Sequence, residues 1–339
     1  MIPMLSWKHY TPHWQQAEKT VEEIQHQGII DQELSGLRLD QALVRLFSDY
    51  SRSRLQHWIK TGLVTVDGEV RKPKDKVWVG EKIHLRAVLE SDQSCEPEDI
   101  PLDILYEDEH LLVINKPAGL VVHPAAGNWR GTLQNALLHH DPDAAGLPRA
   151  GIVHRLDKDT TGLMVVARSP IAHKNLVEAL QAREIKREYL ALVVGLPTAG
   201  GVVDAPIGRH PTRRVCMAVV NGGKPARTHY RINERFRIHT LLDVQLETGR
   251  THQIRVHMVH IHYPLVGDSV YGGRLKLPRN ASEATIAALR GFPRQALHAR
   301  RLSLQHPVTL EPMEWESPVP DDLSVLIEQL RLDREEHAA

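Results

Sequence analysis

The feature that most constrains the fold of this chain is a polar segment followed at once by an uninterrupted apolar run. Residues 151–162 hold two carboxylates, two basic side chains, a histidine and two threonine hydroxyls, and residues 163–167 are all apolar. Five consecutive apolar residues are typical of a strand that is covered on both faces. We therefore expect a polar loop at the edge of a buried sheet, which is a common position for catalytic groups.

The charged side chains divide the sequence into regions of different character. Lys and Arg (42) balance Asp and Glu (42) over the 339 residues, but residues 36–86 carry eleven basic and six acidic side chains. Residues 90–109 carry nine acidic side chains and neither Lys nor Arg. A basic module is the electrostatic signature of phosphate binding, although a solvated lysine face has the same composition. We expect two domains, joined by an acidic linker at residues 90–99.

The composition argues against membrane proteins and disulfide-rich secreted proteins. No apolar run approaches the roughly 20 residues that a membrane span needs, and the N-terminus lacks a basic-then-apolar export signal. Cys95 and Cys216 are too few for a disulfide framework. We therefore expect a cytoplasmic protein with reduced thiols and no membrane partner.

The region before the linker is predicted to contain an extension and a small folded module. Residues 1–35 have few apolar side chains, so we expect them to be loosely ordered, with at most a short helix around residues 15–27. In residues 36–89, helical apolar spacing and the Asp-Gly pair predict the following elements. They are helices at 38–47 and 52–60, the second capped by Ser51, a hairpin turning at Asp67-Gly68, and short strands at 77–79 and 82–85.

Residues 100–330 are predicted to form the larger domain, and residues 331–339 a frayed polar tail. Apolar runs predict strands at 111–115, 120–122, 163–167, 186–194, 226–231 and 240–246. Ser169-Pro170 predicts the start of a helix, and the apolar residues from Leu323 to Leu330 predict another. Residues 196–222 are rich in glycine and proline and carry several basic side chains, so we expect an exposed basic loop. Its basic residues are Arg209, His210, Arg213 and Arg214.

The polar segment contains a motif with a known counterpart. His154-Arg155-Leu156-Asp157 is followed, after two variable residues, by Thr160-Thr161-Gly162. On the residues alone, the charged side chains of this loop could equally form ion pairs on a solvated turn. The pattern resembles the catalytic motif of the RluA/RluD-type pseudouridine synthases. The resemblance implies that Asp157 is the catalytic aspartate, that Arg155 helps to displace the target nucleotide, and that His154 lies at the RNA.

Two further segments resemble the same family. Residues 186–189, Lys-Arg-Glu-Tyr, resemble its second active-site motif, in which the tyrosine packs against the uracil ring; the residues alone favour Tyr189 as an ordinary core residue. Residues 247–257 resemble the segment whose arginine pairs with the catalytic aspartate, and Arg255 matches that position, with Arg250 as the alternative. The segments around Gly267-Asp268 and Tyr271-Gly272 are also similar, and imply a wall of the cleft.

Residues 36–89 resemble the α-L RNA-binding domain, which often precedes the catalytic domain in this family. The resemblance rests on residues 38–40, 51–54 and 59–73. It shifts the interpretation of the basic module from a solvated face to RNA binding. The predicted RNA-binding residues are Arg38, Arg52, Arg54, Lys60, Arg71, Lys72 and Lys74 in this domain, and Lys116, His154 and Arg250 in the larger one.

Together these resemblances imply an α+β fold, in which the catalytic domain has a mixed, largely antiparallel sheet with flanking helices. They imply an enzyme that isomerises uridine to pseudouridine in RNA, most closely an RluD-like enzyme of large-subunit ribosomal RNA. The expected partner is this RNA or a pre-ribosomal particle, the expected state is a monomer, and no cofactor is expected.

Two other classes of function compete with this one. A non-catalytic RNA-binding or ribosome-assembly protein would use the same scaffold, but would not need Asp157, Tyr189 and Arg255 together. A metal-dependent hydrolase would use the histidine cluster of residues 252–262. That cluster lacks the His-Glu-x-x-His pattern and an intervening carboxylate, so we expect no bound metal.

Overall fold

The computed structural model describes residues 22–47, 50, 52–89, 95–124, 128–213 and 215–338. The chain divides into two units between Gln93 and Ser94, inside the segment predicted as a linker. Each unit has its own sheet and its own hydrophobic core. None of the helices in the described ranges has the length and apolar character that a membrane crossing requires.

The N-terminal unit is a three-stranded antiparallel sheet with two helices. Its elements are β1 (Glu22–Ile29), α1 (Leu39–Leu46), α2 (Arg52–Lys60), β2 (Val64–Val66) and β3 (Lys82–Leu89), and the sheet order is β1-β3-β2. Asp67 and Gly68 both have positive φ (50° and 86°) and turn the chain directly after β2, as the Asp-Gly pair predicts. Leu39, Leu43 and Leu55 on the two helices are fully buried in the core.

Residues 22–35 correct the prediction of a loosely ordered extension. β1 pairs with β3 along its whole length, and Ile24 and Ile30 are buried. The prediction was wrong because a strand with one covered face needs apolar residues only at alternate positions, so its composition can be mostly polar. The predicted helix is also wrong over residues 22–27. Residues 1–21 lie outside the described part of the chain.

Two smaller predictions for this unit have different outcomes. Helix α2 covers the predicted residues, but its predicted cap, Ser51, lies outside the described residues. Residues 77–79 do not form a strand. Val77 instead exchanges backbone hydrogen bonds with Gly36 and Leu37, in the irregular segment before α1, which satisfies its polar groups without a sheet partner.

The C-terminal unit is built on a nine-stranded sheet, in which β6 and β13 run parallel and the other neighbouring strands are antiparallel. Its strands are β4 (Ile104–Glu107), β5 (Leu111–Lys116), β6 (Thr161–Ala167), β7 (Lys186–Val194), β8 (Gly201–Asp204), β9 (Ile207–Arg209), β10 (Met217–Val219), β11 (Arg227–Arg235), β12 (His239–Leu246), β13 (Leu297–Gln305) and β14 (Pro312–Glu316). Its helices are α3 (Leu133–His140), α4 (Pro170–Ala182), α5 (Gln253–His260), α6 (Glu283–Gly291) and α7 (Asp321–Glu336), with 3-10 turns at Pro142–Gly146 and Pro148–Gly151. The strand order is β4-β5-β6-β13-β7-β12-β11-β8, with β14 on β13 and β9–β10 as a separate pair. This confirms the predicted α+β fold with a mixed, largely antiparallel sheet.

Strand β6 is the covered strand that the apolar run predicts. Every residue of β6 is buried, and the strand lies between β5 and β13. Met164 and Val166 face one core, whereas Leu163 and Val165 face another on the opposite side of the sheet. The polar loop that precedes β6 therefore ends on the most enclosed part of the sheet.

Two predicted segments of this unit have a different structure. Residues 120–122 do not form a strand, since Val121 makes only an isolated bridge to Thr132. Residues 196–222 are not a simple loop, because they contain the short strands β8, β9 and β10. Their glycines allow close backbone pairing at the end of the sheet, which the composition alone does not reveal. Arg214 lies outside the described residues.

The C-terminal tail is more ordered than predicted. Helix α7 continues to Glu336, so most of residues 331–339 are helical. Leu330 and Asp333 are buried, and Asp333 accepts a hydrogen bond from Arg237 at 3.0 Å. The polar composition misled the prediction because the partner that anchors Asp333 lies far away in the sequence.

Candidate active site

The residues that follow Asp157 fix the polar loop to the sheet. The Thr160 amide donates to the Asp157 carbonyl (3.0 Å) and closes a tight turn. The Thr160 hydroxyl accepts from the Gln295 side chain (3.0 Å), and the Thr161 hydroxyl bonds to Nδ1 of His298 (2.9 Å). Both threonines are buried. The motif therefore needs hydroxyls at these positions to satisfy polar partners in the interior.

Gly162 ends the loop at a place where no side chain fits. Its φ is 113°, and a Cβ there would lie 2.2 Å from the carbonyl oxygen of Ala299. Ala299 lies on β13 directly opposite Gly162, where β13 pairs in parallel with β6. Only glycine allows this backbone approach, which sets the position of the loop relative to β13.

Asp157 is held by Arg255, the residue that sequence similarity assigns to it. Nη1 of Arg255 donates to Oδ2 of Asp157 at 3.0 Å. The Nε and Nη2 groups of the same guanidinium donate to the two oxygens of Asp268, at 2.7 and 2.9 Å. Arg250, the alternative partner, instead donates from Nε to the Pro225 carbonyl. Asp268 thus fixes the position of the guanidinium, and another nitrogen of the same group binds Asp157.

The electrostatics of this arrangement favour the charged forms. Burial opposes the charge of Arg255, but the hydrogen bonds and charge of Asp268, with those of Asp157, outweigh it and raise the pKa of Arg255. Burial likewise opposes the charge of Asp268, and the hydrogen bonds from Arg255 and from two backbone amides lower its pKa. Asp157 keeps a side-chain exposure of 16%, so one edge of its carboxylate stays accessible.

Two residues beside this pair were not assigned a role from the sequence. The guanidinium of Arg255 lies 4.9 Å from the ring centre of Tyr271. The Tyr271 hydroxyl accepts from the Met217 amide (2.9 Å) and also lies within hydrogen-bond distance of Nδ1 of His252 (2.7 Å). The other ring nitrogen of His252, Nε2, lies 3.9 Å from Oδ1 of Asp157. The family-like segment around Tyr271 was the available signal, but the sequence implied only a cleft wall.

Tyr189 lies in the core, as the residues alone favour, and its contact with a uracil ring stays a prediction. It is 5% exposed and belongs to the core on the side of the sheet that carries Leu156 and Ile254. Burial raises the pKa of its hydroxyl, and the charge of Asp157 contributes in the same direction. Tyr189 is therefore a core residue that lies within electrostatic range of Asp157.

A basic cavity of about 520 Å³ begins two residues from Asp157, at the exposed side chain of Arg155. Its lining includes five arginines, namely Arg149, Arg155, Arg183, Arg187 and Arg250. Glu247 is the acidic residue of the lining, and its two oxygens already bond to Arg183 (2.5 Å) and His229 (2.6 Å). The cavity therefore carries a strong net positive charge, as a nucleic-acid site requires.

Lys116 corrects the prediction of an RNA-facing lysine. It is 1% exposed, and its ammonium group donates to the carbonyls of Pro117 (2.7 Å), Leu120 (3.0 Å) and Lys158 (2.9 Å). Burial lowers the pKa of Lys116 to about 7, against the opposing charges of Asp159 and Asp157. Lys116 therefore ties the turn after β5 to the motif loop, and it does not face solvent.

His154 is half-buried at the wall of the basic cavity, and one edge of its ring is bonded to the sheet. Its Nε2 accepts a hydrogen bond from the Val165 amide at 3.1 Å, so the proton of the neutral ring lies on Nδ1. Burial, and then the charge of Arg187, lowers the pKa of His154 to about 3. The prediction from similarity alone did not anticipate that this ring supports strand β6.

The predicted RNA-binding residues of the N-terminal unit differ in their surroundings. Lys60, Lys72 and Lys74 are exposed. Arg38 pairs with Asp40 (3.0 Å) and Arg71 with Glu81 (2.9 Å). Arg54 is half-buried, and the side chain of Arg52 is not described. The three exposed lysines are therefore the best placed of the set to meet a phosphate backbone.

The histidines of residues 252–262 do not converge as metal ligands. In the described ranges, no group of three His, Cys, Asp or Glu side chains has an arrangement that could hold a metal ion. His257 is buried, and its two ring nitrogens bond to the Thr228 hydroxyl and the Ala205 carbonyl, both at 2.9 Å. His257 therefore joins α5 to the strands beside it.

Known proteins resemble this chain in sequence and in fold. The family model described as RNA pseudouridylate synthase matches residues 110–260, and the S4 domain model matches residues 37–83. Ribosomal large subunit pseudouridine synthase D of Escherichia coli (strain K12) is 59% identical over 93% of this chain and 97% of its own length. The protein of that name from Pseudomonas aeruginosa is 60% identical over 92% of this chain and 98% of its own. The structure of human RNA pseudouridylate synthase domain containing 4 is 29% identical, with a TM-score of 0.52, over 68% of this chain and 93% of that one.

Proposed function

The chain belongs to the RluD-like branch of the RNA pseudouridylate synthases, and on this premise we propose that Asp157 attacks a flipped-out uridine of large-subunit ribosomal RNA. The enzyme is an RNA pseudouridine synthase, an isomerase. The observation that carries the assignment of Asp157 is its hydrogen bond to Arg255, whose other donors are held by the buried Asp268. If this loop only carried solvated charges, a buried arginine that already binds Asp268 would have no reason to bind Asp157 as well.

The reaction places limited demands on the protein. The bond between C1′ of the ribose and N1 of uracil breaks, the base rotates, and C1′ bonds to C5 of the same base, while C5 loses a proton and N1 gains one. The atoms of the nucleotide are conserved and no net oxidation occurs, so the main requirement is an anionic nucleophile. A carboxylate is ionised at neutral pH and meets this requirement.

The geometry of Asp157 suits this role. Its Oδ2 is engaged by Arg255, whereas the nearest ion-pair contact of its Oδ1 among the described residues is Nε2 of His252, at 3.9 Å. One oxygen is thus fixed and the other is directed at the substrate. Attack on the anomeric carbon, attack on the uracil ring and removal of a sugar proton all need this oriented, ionised group.

The target base must leave its stack to reach Asp157. A carboxylate that is 16% exposed lies too deep for a base inside a duplex, and unstacking costs a few kcal/mol. The exposed side chain of Arg155, two residues away, is suited to occupy the vacated space. Tyr189 would pack against the displaced uracil, and such contacts contribute about 1–3 kcal/mol per base.

The substrate proposed here is large-subunit ribosomal RNA or a pre-ribosomal particle, in the cytoplasm, with the protein acting as a monomer. The names of the relatives support the choice of RNA. The match of residues 37–83 to the S4 domain, together with exposed Lys60, Lys72 and Lys74, supports RNA capture by the N-terminal unit.

The test is pseudouridine formation in a large-subunit ribosomal RNA transcript by wild type, Asp157→Ala and Asp159→Asn. Asp159 is the matched control, because it lies in the same loop and, among the described residues, Arg294 bonds to its backbone carbonyl and no arginine bonds to its carboxylate. We expect activity with wild type and Asp159→Asn, and none with Asp157→Ala. Activity in Asp157→Ala would refute the assignment of the nucleophile. RNA binding without any activity, on free RNA and on assembly intermediates alike, would favour the non-catalytic alternative.

A further inference from the structure

Arg187 is a buried cation without a counter-charge. It lies on β7 two residues before Tyr189, so both side chains are on the same face of the strand. The residue is 7% exposed. Among the described residues, no carboxylate lies within ion-pair distance of its guanidinium, and its Nε has no hydrogen-bond partner.

The other buried arginines of the described chain show that this is unusual. The arginines in that burial class are Arg187, Arg255 and Arg294. Arg255 binds Asp268 and Asp157, and Arg294 binds both oxygens of Asp322, at 2.6 and 2.7 Å. Burying a charge without a partner costs several kcal/mol, so proteins normally pair such groups. An unpaired buried arginine that lines a cavity is therefore suited to receive its counter-charge from a ligand.

The surroundings of Arg187 offer donors to such a ligand. A Cβ on Gly249 would lie 3.0 Å from Nη1 of Arg187, so the absence of a side chain at this exposed glycine leaves the guanidinium at the cavity wall. His154 lies close enough for the charge of Arg187 to act on it, and its Nδ1 also lacks a partner among the described residues. Two neighbouring donors without acceptors suit an anion that carries several oxygens.

The shape of the basic surface indicates a polymeric anion. A second cavity, of about 440 Å³, shares Gly249 and Arg250 with the first and adds Lys224. Its lining contains no acidic residue. The two cavities share lining residues and thus form a basic track that includes Arg155, two residues from Asp157 in the sequence. A nucleic-acid backbone, with a charge at every residue, matches such a track better than a single small anion.

We propose that Arg187 binds a phosphodiester group of the RNA strand immediately next to the target uridine. The fork of a guanidinium fits two phosphate oxygens, and the phosphate supplies the counter-charge that the protein lacks. Because Arg187 and Tyr189 share one strand face, the contact fixes the backbone beside the base that Tyr189 meets. This inference rests on the proposed function, since it takes Asp157 as the site where the uridine reacts.

The test compares Arg187→Met with Arg183→Met, which removes an arginine of the same cavity that is already paired with Glu247. For Arg187→Met we expect an unfolding temperature equal to or above that of wild type, because an apolar chain replaces an unpaired buried charge. We expect its affinity for a ribosomal RNA transcript to fall about 10- to 100-fold, and the slope of log affinity against log salt to fall by about one contact. Arg183→Met should change both much less, and Arg187→Lys should restore part of the affinity.

A second arm locates the phosphate. In a short RNA that contains the uridine modified by wild type, one linkage on either side is replaced by an uncharged methylphosphonate. One of the two replacements should weaken binding to wild type and leave binding to Arg187→Met unchanged.

Three results would overturn the proposal. They are a clearly lower unfolding temperature or a failure to fold for Arg187→Met, an unchanged affinity and salt slope, and an equal effect of each methylphosphonate on wild type and variant. If wild type forms no pseudouridine in any large-subunit RNA, the proposed function fails, whereas the unfolding and salt measurements still decide whether Arg187 binds RNA.

Discussion

Replacing Asp268 by Asn tests whether Arg255 can orient Asp157 only when Asp268 fixes its guanidinium. Oδ1 of Asp268 accepts from Nη2 of Arg255 and from the amides of Val270 and Tyr271, whereas Oδ2 accepts from Nε of Arg255. An asparagine that keeps the three bonds at Oδ1 must place its own NH₂ group against the Nε–H of Arg255. The substitution therefore removes a charge and places two N–H donors, of the new asparagine and of Arg255, against each other. The shape of the side chain stays almost unchanged.

The size of the effect follows from the burial of this pair. Removing one partner of a buried ion pair costs about 3–5 kcal/mol, and the remaining bonds of Arg255 to Asp157 place the loss at the lower end, about 3 kcal/mol. For a unit of this size that corresponds to an unfolding temperature lower by about 6–12 °C. In the folded fraction, Arg255 shifts toward its one remaining carboxylate, and a displacement of about 1 Å at a reacting group costs about 100-fold in kcat.

The assay measures thermal unfolding, kcat for pseudouridine formation and RNA affinity in parallel. Asp268 is buried away from the cavity, so the affinity should stay constant while kcat falls. Asp333→Asn is the matched control, because Asp333 is equally buried and pairs with Arg237; it should lower the unfolding temperature without changing kcat. An Asp268→Asn enzyme with a lower unfolding temperature but wild-type kcat would refute the positioning role.

The pH dependence of the same variant has a defined sign. The pKa of Asp268 is lowered in the folded state, since its bonds with Arg255 outweigh the effect of burial. A carboxylate with a lowered pKa stabilises the fold above its unfolded pKa and loses this contribution as the pH falls through the folded pKa. The difference in stability between wild type and Asp268→Asn should thus be constant at neutral pH and shrink only in acid.

Two further substitutions test the scaffold. Gly162→Ala should lower the free energy of unfolding by more than about 3 kcal/mol and abolish activity, because the added Cβ would meet the Ala299 carbonyl. Thermal melts measure the loss of stability, and Gly291→Ala is the control, because its Cβ would lie in open space on α6 and should leave stability unchanged. Burial lowers the pKa of His239 to about 4, so the unfolded chain binds more protons between about pH 4 and pH 6.5, and stability falls as the pH falls through that window. His239→Leu should therefore raise the unfolding temperature more at pH 5 than at pH 7.5, and an equal shift at both values would contradict this reasoning.

The sequence predicts those parts of the fold that depend on local pattern. The apolar run of residues 163–167 identifies a strand covered on two faces. Ser169-Pro170 identifies the start of α4, where the Ser169 hydroxyl accepts a hydrogen bond from the Ala172 amide. Strand β1 cannot be predicted from local pattern, because it forms by pairing with β3, about sixty residues later in the chain. A polar composition describes an edge strand and a disordered extension equally well.

The candidate site divides in the same way. Asp157 and Arg255 are identified by motifs, whereas the burial of Lys116 depends on the carbonyl of Lys158, which no local pattern brings near. The sequence predicts Lys116 as an RNA-binding residue, which requires an exposed side chain, and lysines are normally exposed. The pairing of Asp268 with Arg255 is not predicted either, because the sequence around Asp268 indicates only a wall of the cleft.

The three buried arginines show what kind of information the fold adds. The sequence does not show how many carboxylates each of them meets, and this number differs among the three. Arg294 faces Asp322, an acid without a catalytic role, and so joins α7 to the body of the unit. Arg255 faces two acids, so one guanidinium joins the buried Asp268 to the proposed catalytic Asp157. Arg187 faces none among the described residues, and the proposed RNA phosphate would supply its counter-charge.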